Sequence, residues 1–88
     1  MRTIYKYPVP LDYGAVDMPR GAEILSVHTQ RGLPQMWAIV DPEAPLESRR
    51  FHLFGTGHEM PPAAELGRFV GTFLFHDDSL VFHLFEAL

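Results

Sequence analysis

The residues best suited to bind a ligand are grouped in the middle of the chain, between positions 49 and 58. Gly55-Thr56-Gly57-His58 comes directly after a run of apolar and basic residues that contains Arg49 and Arg50. Two glycines let the backbone approach a ligand closely, and consecutive free N–H groups in such a loop can bind an anion. Thr56 adds a hydroxyl, and an arginine adds a charge suited to phosphate or carboxylate. The pattern predicts a site for a small anionic ligand, and the alternative is an ordinary glycine turn after a strand.

The loop is not a phosphate-binding P-loop. The pattern G-x-x-x-x-G-K-[ST] is absent from the sequence, and no helical pattern follows the two glycines. Any anion site here must therefore be built from strand ends and a turn.

The single tryptophan, Trp37, has two interpretations. As a core residue it anchors a β-hairpin; as a site residue it stacks on a base or adenine ring, which is worth about 1–3 kcal/mol. We include Trp37 among the predicted ligand-binding residues with Arg49, Arg50, Gly55, Thr56, Gly57 and His58.

Neither a metal site nor a catalytic site is predicted. The five histidines, at positions 28, 52, 58, 76 and 83, form no H-x-H or H-x-x-x-H pair, and the chain has no cysteine. No serine lies on a G-x-S-x-G elbow, and no carboxylate pair is singled out by its position. We expect a protein without enzymatic activity and without a cofactor. A small enzyme acting on a nucleotide is the lesser alternative, and a cluster of His52 with His83 requires that their strands adjoin.

The elements that must position these residues are β-strands. Short β-branched and aromatic runs are bounded by glycine, proline and aspartate, and no stretch keeps a helical period over ten residues. The predicted strands cover 3–7, 23–30, 35–41, 48–54, 68–76 and 80–86, with a short edge strand near 15–18 inside the loop 10–21. The second and third of the six form one hairpin, and the last two form another. The prediction is an all-β fold of about six antiparallel strands in a small barrel or sandwich, with one short helical turn near 61–66.

The word FHLF occurs twice, at 51–54 and at 82–85. The flanking residues of the two copies differ, so we reject internal duplication in favour of two strands with the same packing requirement. In the second copy both strand faces are apolar, and such a strand is normally covered on both sides. A chain of 88 residues has a thin core, so we expect another subunit to cover one side, and hence a homo-oligomer.

Composition excludes several classes of protein. The length predicts a single domain over 1–88, and hydrophobic content of 47% excludes disorder. A net charge of −4 argues against general nucleic-acid binding, which needs a basic surface. We expect no membrane segment, because no apolar run approaches the roughly 20 residues that span a bilayer. The start of the chain lacks the apolar region of a secretory signal, and the absence of cysteine fits a reducing cytoplasm.

Several words of the sequence together resemble a family of small proteins encoded by bacteriophages and prophages, largely of unassigned function. They are TIYKYP at 3–8, MPRGA at 18–22, ILSV at 24–27, WAIVDP at 37–42, GTGH at 55–58, GTF at 71–73 and LVFH at 80–83. The resemblance runs nearly end to end. It implies a viral accessory protein acting in the host bacterial cytoplasm, and it assigns no active-site residues.

The expected function combines the loop with this resemblance. We expect an oligomeric binder that sequesters a small anionic ligand, such as a nucleotide signal of host anti-phage defence. The alternative is a protein–protein interaction module that inhibits or adapts a host or virion protein.

Overall fold

The protein is built almost entirely of antiparallel β-strands. A computed structural model describes residues 1–11 and 13–87, with the side chain of residue 64 left aside. The strands are β1 (Thr3–Pro8), β2 (Gly14–Pro19), β3 (Glu23–Gln30), β4 (Leu33–Val40), β5 (Leu46–Gly55), β6 (Arg68–Phe75) and β7 (Leu80–Glu86), and one 3₁₀ turn spans Ala63–Glu65. The all-β prediction is confirmed, as is the short helical turn. The segment predicted as a loop with a short edge strand contains the full edge strand β2.

The strands form two sheets that face each other as a sandwich. One sheet has three strands in the order β1-β4-β3, and the other has four in the order β2-β5-β7-β6. The sequence was compatible with either a barrel or a sandwich. The described strands form two separate sheets and not a closed barrel. Both predicted hairpins, β3–β4 and β6–β7, are present. The described part of the chain contains no helix long and apolar enough to cross a membrane.

The hairpin turns depend on left-handed backbone conformations. Arg31 and Gly32 both have positive φ, 53° and 80°, which is what a two-residue type I′ turn requires between Gln30 and Leu33. The turn between β6 and β7 places three residues, at 76–78, in the same region. It is closed by a hydrogen bond from the Ser79 N–H to the His76 carbonyl oxygen.

The core lies between the two sheets and follows from the alternation along each strand. On β4, Met36, Ala38 and Val40 point inward and are buried, whereas Trp37 and Ile39 point outward and are only partly buried. The four-stranded sheet contributes Phe51, which is fully buried. Among the described residues, the buried cluster consists of Val9, Met18, Ala22, Val27, Met36, Ala38, Val40, Phe51, Phe73 and Leu84.

The two sheets approach most closely where β3 lies beside β6. A Cβ atom added at Gly71 on β6 would lie 2.8 Å from Cγ1 of Val27 on β3, so only a glycine fits there without a shift. The Thr29 hydroxyl on β3 donates to the Leu74 carbonyl oxygen on β6. This close contact between β3 and β6, which we call the seam, joins one margin of the sandwich.

Candidate functional site

The two FHLF words pair with each other across β5 and β7. Leu53 lies opposite Leu84, Phe54 opposite His83, and His52 opposite Phe85. The two words therefore have a local two-fold relation, in which each histidine lies opposite the last phenylalanine of the other word. The leucines point into the core, and both histidine–phenylalanine pairs point to the outer face of the four-stranded sheet.

Aromatic rings form a continuous row on this outer face. The His52 ring lies 4.3 Å from that of Phe54, Phe54 lies 5.7 Å from Phe85, and Phe85 lies 5.3 Å from Phe69, all between ring centroids. Tyr13 extends the row with its edge 4.9 Å from His52. Phe54 is buried although it lies outside the main core, whereas Phe69 is 54% exposed. The row ends in an accessible aromatic ring.

The Gly55-Thr56-Gly57-His58 loop turns back at the end of β5. The His58 N–H donates to the Gly55 carbonyl oxygen at 3.1 Å, and Gly57 has the positive φ, 88°, that the third position of a type II turn requires. The His58 ring packs so closely on Gly55 that an added Cβ would lie 2.7 Å from it. The Thr56 N–H donates to the Val81 carbonyl oxygen. Because Thr56 and His58 both use their N–H groups internally, the expected run of free N–H groups is wrong, and the loop is not an anion nest.

His83 connects the loop to β6 through two hydroxyl groups. Its Nε2 lies 2.8 Å from Oγ1 of Thr56, and its Nδ1 lies 2.8 Å from Oγ1 of Thr72. The Thr56 hydroxyl is also 3.4 Å from the Val81 carbonyl oxygen. Both ring nitrogens therefore have a hydroxyl partner, and a hydroxyl can donate or accept.

The loop and the aromatic row border an open depression of about 320 Å³, which we call the groove. This volume lies at the small end of ligand pockets, which span about 300–1,000 Å³. The groove is lined by Phe54, Gly55, Thr56, Gly57, His58, Met60, Phe69, Thr72, His83 and Phe85. A shallower depression adjoins it across Phe54, His58 and Met60, and there Glu59 and Glu65 add negative charge.

The structure brings together four of the seven predicted ligand-binding residues and separates the other three. Gly55, Thr56, Gly57 and His58 line the groove. Arg50 lies on the same face but farther back along β5, with its guanidinium carbon 5.9 Å from the centre of the Tyr13 ring. Trp37 lies on the outer face of the other sheet, with its ring 6.2 Å from that of His28.

Arg49 points to the core side of β5 and is held by protein groups. Its Nε and Nη2 donate to the two carboxylate oxygens of Glu86 at 2.6 and 2.8 Å, and its Nη1 donates to the Ala22 carbonyl oxygen. Hydrogen bonding to Glu86 raises the pKa of Arg49 above its ordinary value, against the opposing effect of burial. The guanidinium group of Arg49 is thus already paired with protein groups, and through Glu86 it joins β5 to β7.

The histidines do not assemble into a metal site. The strands carrying His52 and His83 adjoin, but each histidine faces a phenylalanine, so the imidazoles are offset along the strands. Within residues 1–11 and 13–87, no three histidine, aspartate or glutamate side chains are grouped closely enough to hold a metal ion.

Sequence reasoning missed the residues that come from β6 and β7. Alternation along β7 already put His83 and Phe85 on one face, but nothing in the sequence set the register that places them under the 55–58 loop. Thr72 and Phe69 reach the groove because β6 pairs with β7 at the edge of the sheet.

Comparison with known proteins gives a family but no activity. The chain belongs to the family described as a domain of unknown function (DUF7352), whose model matches residues 1–88. Neither the curated proteins nor the solved structures gave a match.

Proposed function

We propose that this protein is a non-enzymatic binder that holds a small ligand with a planar ring and an anionic group, such as a nucleotide, in the groove. The observation that carries the proposal is the convergence on one groove of the 55–58 loop, three phenylalanine rings and the hydroxyl-bonded His83. Small-ligand sites typically combine mostly apolar walls with a few polar groups that fix orientation.

The walls of the groove suit a flat ring. Phe69 and Phe85 lie 5.3 Å apart at an angle of 59°, and Phe69 is more than half exposed, so a ligand ring can stack on it. Aromatic stacking contributes about 1–3 kcal/mol per base and tolerates any base. Thr56 and Thr72 keep hydrogen-bonding capacity beyond their bonds to His83, since each hydroxyl has one donor and two acceptor sites.

The resemblance to bacteriophage and prophage proteins supports a biological setting for this binding. A virus benefits when a nucleotide signal of host defence is removed from the bacterial cytoplasm. A protein that binds the signal and releases it slowly is sufficient to lower its free concentration. The proposal requires that the ligand be returned chemically intact when the protein is denatured.

Binding is tested by titration with cyclic AMP, a cyclic dinucleotide and AMP, with adenosine and inorganic phosphate as the two partial ligands. A ligand at about 100 times its Kd should stabilise the fold by about 2.7 kcal/mol. For a domain of this size that is a rise in Tm of about 10–20 °C. Absence of any shift with every nucleotide would refute the proposal, and conversion of the ligand during incubation would refute its non-enzymatic part.

A pair of variants localises the site. Phe69→Ala should weaken nucleotide affinity by about 5- to 150-fold, the equivalent of the lost stacking energy. Leu74→Ala is the matched control, because Leu74 is on the same strand, is 45% exposed and lies outside the groove. Equal affinity in the two variants would show that the nucleotide binds elsewhere.

Self-association is a second part of the proposal, favoured by the other sheet. The outer face of the three-stranded sheet presents Ile4 and Leu25 as exposed side chains beside the partly buried Trp37 and Ile39. Lys6 and Glu23 lie on opposite edge strands of this sheet, which gives a second copy of the chain complementary charges. Light scattering should report a dimer or a larger oligomer, which Ile4→Glu should dissociate. A strict monomer would contradict self-association, and this face would then be a candidate site for binding a different protein, as in the alternative function.

A further inference from the structure

The groove has no permanent positive charge. Of its lining residues in the part of the chain that the structure describes, only His58 and His83 can ionise, and both are histidines. Arginine and lysine, which normally pair with phosphate, do not line it. An anion held in the groove therefore has no fixed counter-charge beside it unless an imidazole is protonated.

We propose that the groove binds the ligand's phosphate together with a proton, and that His83 is the residue that takes up this proton. This inference rests on the proposed function and deepens it, because it names the group that receives the anion and makes affinity depend on pH. The ligand class is a planar ring that carries a phosphate ester.

Hydrogen-bond counting at His83 supports this role. A neutral imidazole has one N–H donor and one acceptor nitrogen, so one of the two threonine hydroxyls must donate to the ring. That hydroxyl then has only lone pairs left to offer a ligand. A protonated imidazole donates from both Nδ1 and Nε2, so both threonine hydroxyls accept from the ring, and the one hydroxyl hydrogen that the neutral ring had accepted is released.

The released hydrogen changes what the groove can bind. With His83 protonated, the groove presents one positive charge and two hydroxyl donors, of which the Thr56 hydroxyl also donates to the Val81 carbonyl oxygen, 3.4 Å away. This set matches a phosphate, which accepts hydrogen bonds and carries negative charge. With His83 neutral, at least one threonine presents only lone pairs, which repel a phosphate oxygen. The same two threonines thus serve both protonation states of the ring, and only one state favours an anion.

Other charged groups around His83 lie farther along the outer face or in the adjoining depression. Phe54 on β5 and Thr72 on β6 are its direct strand neighbours, and neither can ionise. The ionisable groups on this face are His58 from the loop, His52 and Arg50 along β5, and Glu59 and Glu65 in the depression. Arg68 on β6 lies opposite Glu86, on the other face of the sheet. His58 is the one competitor inside the groove, and it packs on Gly55.

The sign of the pH effect follows from linkage. If the phosphate binds the protonated form more tightly, binding moves the His83 titration to higher pH, and affinity falls as pH rises through the range in which histidine loses its proton, about 5 to 8. A shift of about one pH unit in this titration corresponds to about a tenfold change in affinity.

Cyclic AMP is the suitable probe, because its phosphodiester keeps one negative charge across this range and only the protein titrates. We expect its Kd to rise by about tenfold between about pH 5.5 and pH 8, while the Kd of adenosine changes by less than about twofold. Calorimetry in buffers of different ionisation enthalpy at about pH 7 should show proton uptake with cyclic AMP and none with adenosine.

Two variants assign the proton. His83→Gln keeps a side chain that can bond to both hydroxyls but cannot titrate, and it should make cyclic AMP binding weak and independent of pH. His58→Gln is the matched control in the same groove, and it should keep the pH dependence. In the unmodified protein, the imidazole resonances of His83 should titrate at higher pH with cyclic AMP than without it, which tests the assignment even if the His83 variant does not fold.

The outcomes separate this inference from the proposed function. If no nucleotide binds at any pH, the proposed function fails. If cyclic AMP binds with the same affinity across the pH range, the proposed function stands and the proton-coupled site is overturned. If the pH dependence disappears in His58→Gln and survives in His83→Gln, the proton belongs to the loop histidine and the assignment to His83 is refuted.

Discussion

Replacing Arg49 with methionine should destabilise the protein strongly, although an arginine beside a glycine loop looks like a ligand-binding residue. Methionine keeps a long apolar stem and removes the guanidinium, so packing changes little. Among the described residues, the change leaves the Glu86 carboxylate with Arg68 as its cationic partner, whose Nη2 is 3.8 Å away. It also removes a donor from the Ala22 carbonyl oxygen.

The magnitude lies between two limits. An exposed ion pair contributes about 0–1 kcal/mol, and breaking a fully buried pair costs about 3–5 kcal/mol. The Arg49 and Glu86 side chains are 13% and 18% exposed, and their contact is bidentate. We therefore expect Arg49→Met to lower the free energy of unfolding by about 2–3 kcal/mol, which is about 8–24 °C in Tm.

Urea unfolding followed by tryptophan fluorescence measures this change through Trp37. Arg50→Met is the matched control, because Arg50 is the next residue, points to the opposite face and is exposed. It should cost less than about 1 kcal/mol. A double-mutant cycle with Glu86→Gln should give a coupling of about 1–2 kcal/mol. If Arg49→Met is no more destabilising than Arg50→Met, the ion pair does not hold the sheet together and Arg49 is again a candidate for the ligand.

Four further changes test the fold and the groove. Phe51→Ala should cost about 3–5 kcal/mol in urea unfolding, since the ring is fully buried; a loss under about 1 kcal/mol would contradict the placement of the core. Gly67→Ala should cost about 3 kcal/mol or more, because the new methyl would lie 1.5 Å from the Glu86 carbonyl oxygen, and normal Tm would disprove that contact. Arg31→Asn should raise stability by about 0.5–1 kcal/mol, since asparagine tolerates the positive φ of the type I′ turn better; a decrease would argue for another turn. Thr56→Ala combined with His58→Ala should leave folding nearly intact and weaken nucleotide binding, and unchanged affinity would remove the loop from the site.

The strands and hairpins were predictable because their signals are local. Alternation along β4 separated Met36, Ala38 and Val40 from Trp37 and Ile39, and the structure keeps that division. Aspartates at 77 and 78 and a glycine at 32 marked the two hairpin turns correctly. The edge strand β2 was harder, since its pairing with β5 joins segments more than 25 residues apart and no local pattern fixes it.

The site was only partly predictable, because both faces of β5 carry residues suited to chemistry. Adjacent arginines must point to opposite faces of a strand, but apolar residues on both faces hide which face is the core. Arg49 therefore went inward to Glu86 while Arg50 stayed outside. The two identical FHLF words have different surroundings, because different residues lie beside them. Thr72 on β6 bonds to His83, whereas Tyr13 contacts His52.

The seam between β3 and β6 has a consequence for how the molecule opens. The two sheets are joined there through their edge strands, whereas no comparable contact joins the described residues of β1 and β2, the other edge strands of the two sheets. On heating, the sheets should separate first at the strands farthest from the seam. The amide hydrogens of β1 and β2 should therefore exchange with solvent first, and those of β3, β6 and β7 last. Because the groove is built on β5, β6 and β7, and β6 belongs to the seam, the groove should keep its shape during fluctuations that already expose β1 and β2 to solvent.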